Sequence, residues 1–205
     1  MAQASFKRLF DLLVAAPALL LASPLLLAVA VWIKWDSPGP VLFRQLRVGR
    51  HGVPFHIHKL RTMVADAPQL GGAITVGDDP RITRAGHWLR HSRIDELPQL
   101  FDVLLGHMSL VGPRPEVPEF VALYPSHLRE QVLAVRPGLT SPAALLFIDE
   151  ATQLAHAADP RREYVEHILP LKLQCAVEYA QRANLRSDLC ALAHTLRVLW
   201  SRARA

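Results

Sequence analysis

Cysteine is scarce in this 205-residue chain: Cys175 and Cys190 are the only two, and they form no C-x-x-C pair. This spacing argues against a disulfide scaffold or a zinc site and indicates two small side chains in a reducing compartment. The chain also lacks internal repeats, low-complexity segments and any helix-turn-helix, zinc-finger or RNA-binding signature. A pI near 9.7 therefore does not lead us to expect a nucleic-acid partner.

Charge is absent from residues 12–33, and 22 residues of straight helix would span about 33 Å, enough for a bilayer core. Basic residues flank this run. The first 61 residues hold eight Lys or Arg against two Asp or Glu, a net +6, while the remainder sums to −1. This distribution suits an anionic membrane surface, so we expect one membrane element on a single globular body.

Ser23-Pro24 lies at the middle of the apolar run, where proline removes a backbone hydrogen bond and favours a sharp bend. Two interpretations remain open. One is an ordinary span with a tolerated kink. The other is a re-entrant helix-break-helix hairpin, with arms of about 16 Å and both basic ends on the cytoplasmic side. In either case Ser23 can hydrogen-bond a carbonyl that Pro24 leaves free.

Downstream, two apolar stretches around Gly49 and Gly52 predict a small strand pair, on which His56 and His58 share one face. No third ligand lies near these histidines, so we do not expect a metal there. Pro98 and Gly106 predict a helix that starts at the first and ends before the second. Residues 163–200 are helix-rich, and the last helix is predicted to start at a Ser187 or Asp188 cap and end as a basic amphipathic stretch at the membrane surface.

Asp95 and Glu96 stand side by side before this predicted helix, with Arg90 and Arg93 just ahead of them. Three interpretations apply: a salt-bridged surface, a helix cap, or a reaction centre. A helix start stabilises negative charge, which supports the cap. Further on, Pro115 pushes Arg114 toward an extended backbone, a rigid mount that suits an anion-binding arginine or an ordinary surface loop.

Several stretches together resemble one family: "KRLFDLLVA", "LLLASPLLL", "HKLRTM", "RHSRIDELPQLFDVLLGHMSLVGPRPE" and "VRPGLT". They are similar to the bacterial sugar transferases, in the form of small monotopic phosphoglycosyl transferases of polyprenyl phosphate. The resemblance covers most of the first 140 residues. It implies an α-rich α/β fold, mostly helical with a small strand element, and it favours the re-entrant hairpin broken at Ser23 and Pro24.

The resemblance also implies an organisation. Residues 1–36 would form the membrane hairpin, residues 37–140 the cytoplasmic catalytic core, and residues 141–205 a helical C-terminal part of the same domain with interfacial amphipathic helices. The protein would lie in the bacterial inner membrane with its active site on the cytoplasmic face, among membrane lipids. The sequence leaves a homodimer open.

The implied reaction transfers a phospho-sugar from a nucleotide diphosphate sugar, usually a UDP-sugar, to undecaprenyl phosphate with release of UMP. It would be the first membrane step of a surface glycan pathway. Asp95 is then the nucleophile that forms a covalent aspartyl phospho-sugar, and Glu96 assists it. Mg²⁺ is the expected cofactor, with Asp95 and Glu96 as its ligands, and a carboxylate that attacks phosphorus needs such cations nearby. The candidate phosphate and nucleotide ligands are Lys59, Arg61, Arg90, Arg93, Arg114 and Arg136.

One departure from the family pattern follows "RPGLT", where Ser141-Pro142-Ala143-Ala144 replaces a Gly-Trp-Ala-Gln stretch. Sugar and nucleoside contacts from this stretch therefore cannot be carried over. The alternative of another class is a membrane-bound binding or scaffold protein that has kept the fold and lost turnover. Retention of both carboxylates speaks against it.

Overall fold

The computed structural model describes residues 2–141, 146–147 and 149–202, and its first element is a long apolar helix. Helix α1 spans Ala2–Asp36. Its length and composition would allow it to cross a membrane, and most of its surface is uncovered by the rest of the chain. Leu20, Leu21 and Leu27 are 74%, 81% and 70% exposed. Such an apolar surface on a single chain marks a contact with lipid or with another apolar partner.

The structure corrects one part of the predicted break at Ser23-Pro24: the backbone does not leave the helical conformation there, because α1 runs through both Pro17 and Pro24. The reason lies in the hydrogen bonding around Pro24. Proline cannot donate to the carbonyl four residues earlier, and the Ser23 hydroxyl donates to that Leu20 carbonyl instead, at 2.7 Å. The prediction of a serine that compensates for the proline is thus confirmed, within one continuous helix.

The predicted strand pair is confirmed as the antiparallel hairpin of β1 (Leu42–Val48) and β2 (Pro54–Leu60). Its register runs from Leu42 opposite Leu60 to Val48 opposite Pro54. Successive side chains of a strand point to opposite faces, so the neighbours His58 and Lys59 of β2 face different surroundings.

After a short helix α2 (Ala67–Leu70), α3 covers Arg84–Ser92 and α4 covers Gln99–Leu105. The Thr83 side chain caps α3 by accepting the Gly86 N–H. The predicted end of α4 is confirmed, since Gly106 follows it with a φ of 86°, a left-handed value that glycine adopts without strain. Between the two helices, residues Ile94–Glu96 form one 3₁₀ turn.

The rest of the chain is mostly helical, apart from a parallel pair that the sequence did not predict, β3 (Ser109–Val111) with β4 (Gly138–Thr140). The helices are α5 (Pro118–Val121), α6 (Ser126–Leu133), α7 (Glu150–Ala155), α8 (Pro160–Glu163), α9 (Leu169–Arg182) and α10 (Leu185–Arg202). A π-helical turn, Tyr164–Ile168, joins α8 to α9.

The predicted cap of α10 is wrong. The helix begins at Leu185, and the Asn184 side chain accepts the Ser187 N–H there. Asp188 is instead buried, where it binds Lys7 of α1 and accepts the Tyr179 hydroxyl. Asp188 therefore makes charge-assisted interactions inside the fold, which are stronger than a neutral hydrogen bond.

Both ends of α1 are fastened to the same body. Near its start, Arg8 donates to the carbonyls of Val103 and Leu104 at the end of α4, at 2.6 and 2.9 Å. At its end, Asp36 accepts the Ala85 N–H of α3 at 3.0 Å. The exposed middle of α1 lies between these two attachments.

Candidate active site

Arg93 makes the turn that presents the two carboxylates. Its φ of 59° is left-handed, which is uncommon for a residue with a β-carbon and costs about 1 kcal/mol. This turn ends α3 and reverses the chain into the 3₁₀ turn of Asp95 and Glu96. Both carboxylates are buried, at 6% and 8% exposure, so the interpretation as a salt-bridged surface is wrong. Strained backbone of this kind recurs at functional sites.

Glu96 is held by three cations. Its Oε1 accepts from Lys59 Nζ at 2.9 Å, from Arg93 Nη1 at 3.3 Å and from Arg114 Nη2 at 2.6 Å. Burial acts to raise the pKa of Glu96, but Arg114, Lys59 and Arg93 outweigh it and hold that pKa well below its usual range. Glu96 is therefore ionised at neutral pH, and it holds the three cations together.

Asp95 differs from Glu96 in both its hydrogen bonding and the direction of its pKa shift. Its Oδ1 is buried and has no hydrogen-bond partner among the described residues. Burial raises the pKa of Asp95, with Lys59 opposing the shift and the charge of Glu96 adding to it. Environments that push two neighbouring carboxyl groups apart in pKa give them different roles. Of the two carboxyl groups, Asp95 is the one with an oxygen that has no described hydrogen-bond partner.

The carboxylates lie in a cleft of about 820 Å³ with cationic walls. Eight Lys or Arg line its described part against four Asp or Glu. Arg90 is one of them. Burial lowers its pKa, the charge of Asp95 is the strongest influence that raises it, and no hydrogen bond ties its guanidinium to any residue that the structure describes. The structure thus brings together Lys59, Arg90, Arg93 and Arg114 with the two carboxylates.

Two predicted ligands are engaged elsewhere. Arg61 borders the cleft, but its guanidinium donates to Pro40 O at 2.6 Å and to Ser37 Oγ and O at 2.7 and 2.8 Å. It fastens the loop that follows α1. Arg136 is not among the residues that line the cleft, and its Nε donates to the Gly106 carbonyl at 3.0 Å. Because both side chains bind other parts of the chain, we do not propose Arg61 or Arg136 as phosphate ligands.

The predicted Mg²⁺ ligands fit unequally. Asp95 offers a free oxygen, and Mg²⁺ commonly binds through one or two carboxylates together with substrate phosphates. Glu96 already has three cations on one oxygen, so it fits a metal poorly. Within the described part of the chain, no group of three or more His, Cys, Asp or Glu side chains could hold a metal.

A second polar cluster, which was not predicted from the sequence, lines the same cleft. Glu116 accepts the Tyr164 hydroxyl at 2.7 Å and lies 3.6 Å from Arg47 Nη1. Lys172 Nζ lies 3.8 Å from Glu116 and binds Glu150. Lys172 and Tyr164 stand in a region without a recognisable motif, so no pattern could have indicated them.

The sequence also missed Asp102, which is fully buried. Its carboxylate accepts the His58 N–H at 2.9 Å and lies 2.7 Å from His58 Nδ1. This pair ties β2 to α4, on the side of β2 away from Lys59. Residues 141–144 are the stretch that departs from the family pattern. Ser141 borders the cleft, and the other three residues lie outside the described part of the chain.

A helix long and apolar enough to cross a membrane, together with a cleft whose cationic walls surround two buried carboxylates, indicates a membrane protein with a site for anions. The family follows from comparison. The model of the family described as "Bacterial sugar transferase" matches residues 2–202, and the chain belongs to this family.

Three relatives illustrate the similarity. An "Exopolysaccharide production protein PSS" of Rhizobium leguminosarum bv. phaseoli is 48% identical over 145 residues, 68% of this chain and 72% of that one. The "UDP-glucose:undecaprenyl-phosphate glucose-1-phosphate transferase" of Caulobacter vibrioides is 41% identical over 194 residues, 93% of this chain and 68% of that one.

The third is a "UDP-N-acetylgalactosamine-undecaprenyl-phosphate N-acetylgalactosaminephosphotransferase" of Aeromonas hydrophila, 44% identical over 168 residues. The match covers 80% of this chain but only 38% of that protein, so the two chains share one part of the longer one.

Proposed function

We propose that this protein transfers a phospho-sugar from a UDP-sugar to undecaprenyl phosphate and releases UMP. The observation that carries the proposal is the difference between the two adjacent carboxylates. Glu96 forms ion pairs with three cations, while Asp95 has a buried oxygen without a described hydrogen-bond partner. The relatives' names supply the substrate class. The product would begin a surface glycan, in keeping with the exopolysaccharide name of the Rhizobium relative.

Two displacements at one phosphorus account for the reaction. In the first, an Asp95 carboxylate oxygen forms a bond to the sugar-bearing phosphorus, the bond from that phosphorus to the bridging oxygen breaks, and UMP leaves with the electron pair. In the second, a phosphate oxygen of undecaprenyl phosphate attacks the same phosphorus and the bond to Asp95 breaks. The carboxylate is regenerated and the lipid diphospho-sugar is formed.

The cations answer the electrostatic problem of this chemistry, because a carboxylate and two phosphate-bearing substrates repel one another. Arg114, Lys59 and Arg93 are already gathered on Glu96, and the Arg90 guanidinium, which senses the charge of Asp95, makes no hydrogen bond to a described residue. We further propose Mg²⁺ at this site, held by Asp95 and substrate phosphate oxygens. When bound, it would neutralise phosphate charge.

We also propose that α1 enters the membrane and returns on the same side. Arg8 and Asp36 are 28 residues apart, about 42 Å along a straight helix, yet both bind the α3–α4 unit. A helix that crossed the bilayer would place these attachments on opposite sides of a core of about 30 Å. A bend of α1 near Pro24 keeps both polar ends with the cytoplasmic body and lets only the exposed leucines enter lipid.

The test of the reaction is UMP release from a UDP-sugar panel in the presence of undecaprenyl phosphate and Mg²⁺. Asp95→Asn removes the nucleophile at constant shape, so we expect no release above background. Asp78→Asn, at a side chain that is 94% exposed, is the matched control and should keep full activity. A phospho-sugar adduct in the intact mass of the wild type, absent in Asp95→Asn, separates an enzyme from a binding protein without turnover. Full activity in Asp95→Asn would refute the nucleophile.

The topology has its own test. In a background free of Cys175 and Cys190, single cysteines at Gln3 and Pro40 should both react with an impermeant maleimide from the cytoplasmic side only. Labelling of the two positions from opposite sides would show that α1 crosses the membrane.

A further inference from the structure

The second polar cluster of the cleft has a chemistry different from that of the cation shell around Glu96. It consists of Glu116, Glu150, Tyr164 and Lys172, and all four line the cleft. Its two carboxylates already pair with Arg47 and Lys172, so the cluster offers no spare cation to a phosphate, which the cations around Glu96 attract instead. Carboxylate acceptors beside an ammonium and a phenol hydroxyl are donors and acceptors suited to a polyol.

The backbone places this cluster next to the reacting phosphorus. Arg114 and Glu116 are separated by Pro115, which holds the segment extended, so their side chains leave the same side of the chain. Their α-carbons are then about 7 Å apart, roughly the length of a pyranose ring with its substituents. Arg114 binds Glu96 with a contact of 2.6 Å, whereas Glu116 binds Tyr164. Glu116 and Glu150 also act on Arg114, since both help to raise its pKa.

Three separate elements converge on Lys172, which fixes its ammonium in the cleft wall. The Nζ lies 3.8 Å from Glu116 and 3.3 Å from the Tyr164 hydroxyl, and it binds Glu150 of α7. It also lies 4.7 Å from the centre of the Tyr164 ring. The side chains of Lys172 and Glu150 remain 17% and 26% exposed, so part of each faces the cleft. Burial and Glu116 raise the pKa of Tyr164, so its hydroxyl stays protonated, donates to Glu116 and holds that carboxylate in place.

We propose that Lys172, with Glu116, Glu150 and Tyr164, forms the sugar subsite and decides which UDP-sugar is accepted. This inference rests on the proposed function, because it takes Asp95 as the group that meets the sugar-bearing phosphorus. The sugar is joined to that phosphorus through one oxygen, so it must lie in the first space beyond the phosphate cations. The hydroxyls of the sugar bind the oxygens of the two carboxylates and the Lys172 ammonium.

The experiment measures binding and not turnover, so it can fail independently of the proposed reaction. Affinities of UDP-glucose, UDP-galactose and their N-acetylamino forms are measured on Asp95→Asn protein in nanodiscs, with UMP as the sugar-free reference. Lys172→Met keeps the length of the side chain and removes the ammonium. We expect it to change the ratio of affinities between the preferred sugar and its epimer about tenfold or more. The affinity for UMP should stay within about twofold of the parent protein.

Two further variants control for folding and charge. Tyr164→Phe removes only a hydroxyl and should alter the same ratio in a protein of unchanged helicity. Arg182→Met removes a cation from the exposed end of the same helix, α9, and should change no affinity.

A parallel loss of affinity for UMP and for every UDP-sugar would overturn the proposal, because it would place the nucleotide at this cluster. An unchanged sugar ratio in both Lys172→Met and Tyr164→Phe would overturn it as well. If the ratios change as expected but the wild type releases no UMP, the sugar subsite stands and the transfer reaction is refuted.

Discussion

Replacing Glu96 by glutamine should lower the free energy of unfolding, because Glu96 is the common partner of three cations. The change keeps the shape of the side chain and removes its charge. Lys59, with a side chain only 16% exposed, then loses its anion in a buried place. Breaking a buried ion pair by removing one partner typically costs 3–5 kcal/mol. Arg93 and Arg114 reach solvent, so we expect the low end of this range, about 3 kcal/mol.

For a chain of this size a loss of about 3 kcal/mol lowers the unfolding midpoint by roughly 6 to 12 °C. The matched control is Glu166→Gln, which also removes a carboxylate from an arginine, at the exposed pair of Glu166 with Arg162. That pair contributes about 0.5 kcal/mol or less, so its midpoint should move by no more than about 2 °C. Both midpoints can be measured by tryptophan fluorescence in nanodiscs at pH 7.

The sign of the pH dependence is fixed by the direction of the shift. A depressed carboxyl pKa contributes stability that is present above the unfolded value, about 4.3 for glutamate, and is lost as the pH falls through the folded value. The difference between wild type and Glu96→Gln should therefore be constant from pH 6 to pH 8. Equally small midpoint shifts in Glu96→Gln and Glu166→Gln would refute the view that Glu96 holds the cations together.

Three further outcomes are expected at the same site. UMP release should fall as the pH is lowered, because the raised pKa of Asp95 keeps this carboxyl group protonated at a higher pH than an ordinary one. In Glu96→Gln the fall in activity should occur at lower pH, since the charge of Glu96 helps to raise the pKa of Asp95. Arg93→Gly should change the unfolding free energy by no more than about 1 kcal/mol, because relief of the left-handed strain offsets the loss of a partly exposed ion pair with Glu96. UMP release should nevertheless drop. Arg93→Ala keeps the left-handed strain and should be less stable than Arg93→Gly. Chelation of divalent cations should abolish UMP release without lowering helicity, and added Mg²⁺ should restore it.

Local signals predicted the parts of the fold that depend on neighbouring residues. The β1–β2 hairpin and the end of α4 follow from turn residues at Gly49, Gly52 and Gly106. The serine that replaces the lost hydrogen bond at Pro24 follows from the chemistry of one turn of helix. Local signals left open whether Pro24 interrupts α1 or only kinks it, because whether a proline breaks a helix depends on partners along the whole helix.

The arginines show where sequence reasoning ends. Arg93 and Arg114 were predicted at the carboxylates and lie there. Arg61 and Arg136 carry the same charge and stand in equally recognisable motifs, but backbone carbonyls from distant segments take their guanidinium groups. A carbonyl acceptor is present at every residue, so the sequence does not indicate which one a given arginine will reach. Lys172 escaped notice for the related reason that its partners come from three other segments of the chain.

Helix α4 links α1 to the turn that carries Asp95, and this short segment therefore connects the proposed membrane element with the proposed nucleophile. Asp95 lies in the turn that leads into α4, and Arg8 of α1 holds the carbonyls at the other end. The seven helical residues of α4 measure about 10 Å, so this short rigid helix sets the separation between the turn of Asp95 and the attachment of α1. The proposed acceptor is a lipid whose phosphate stays at the membrane surface. A nucleophile fixed at this distance from α1 can reach that phosphate only if the α1–α4 attachment holds, and Arg8→Gln should therefore slow transfer to undecaprenyl phosphate more than it slows formation of the phospho-sugar adduct on Asp95.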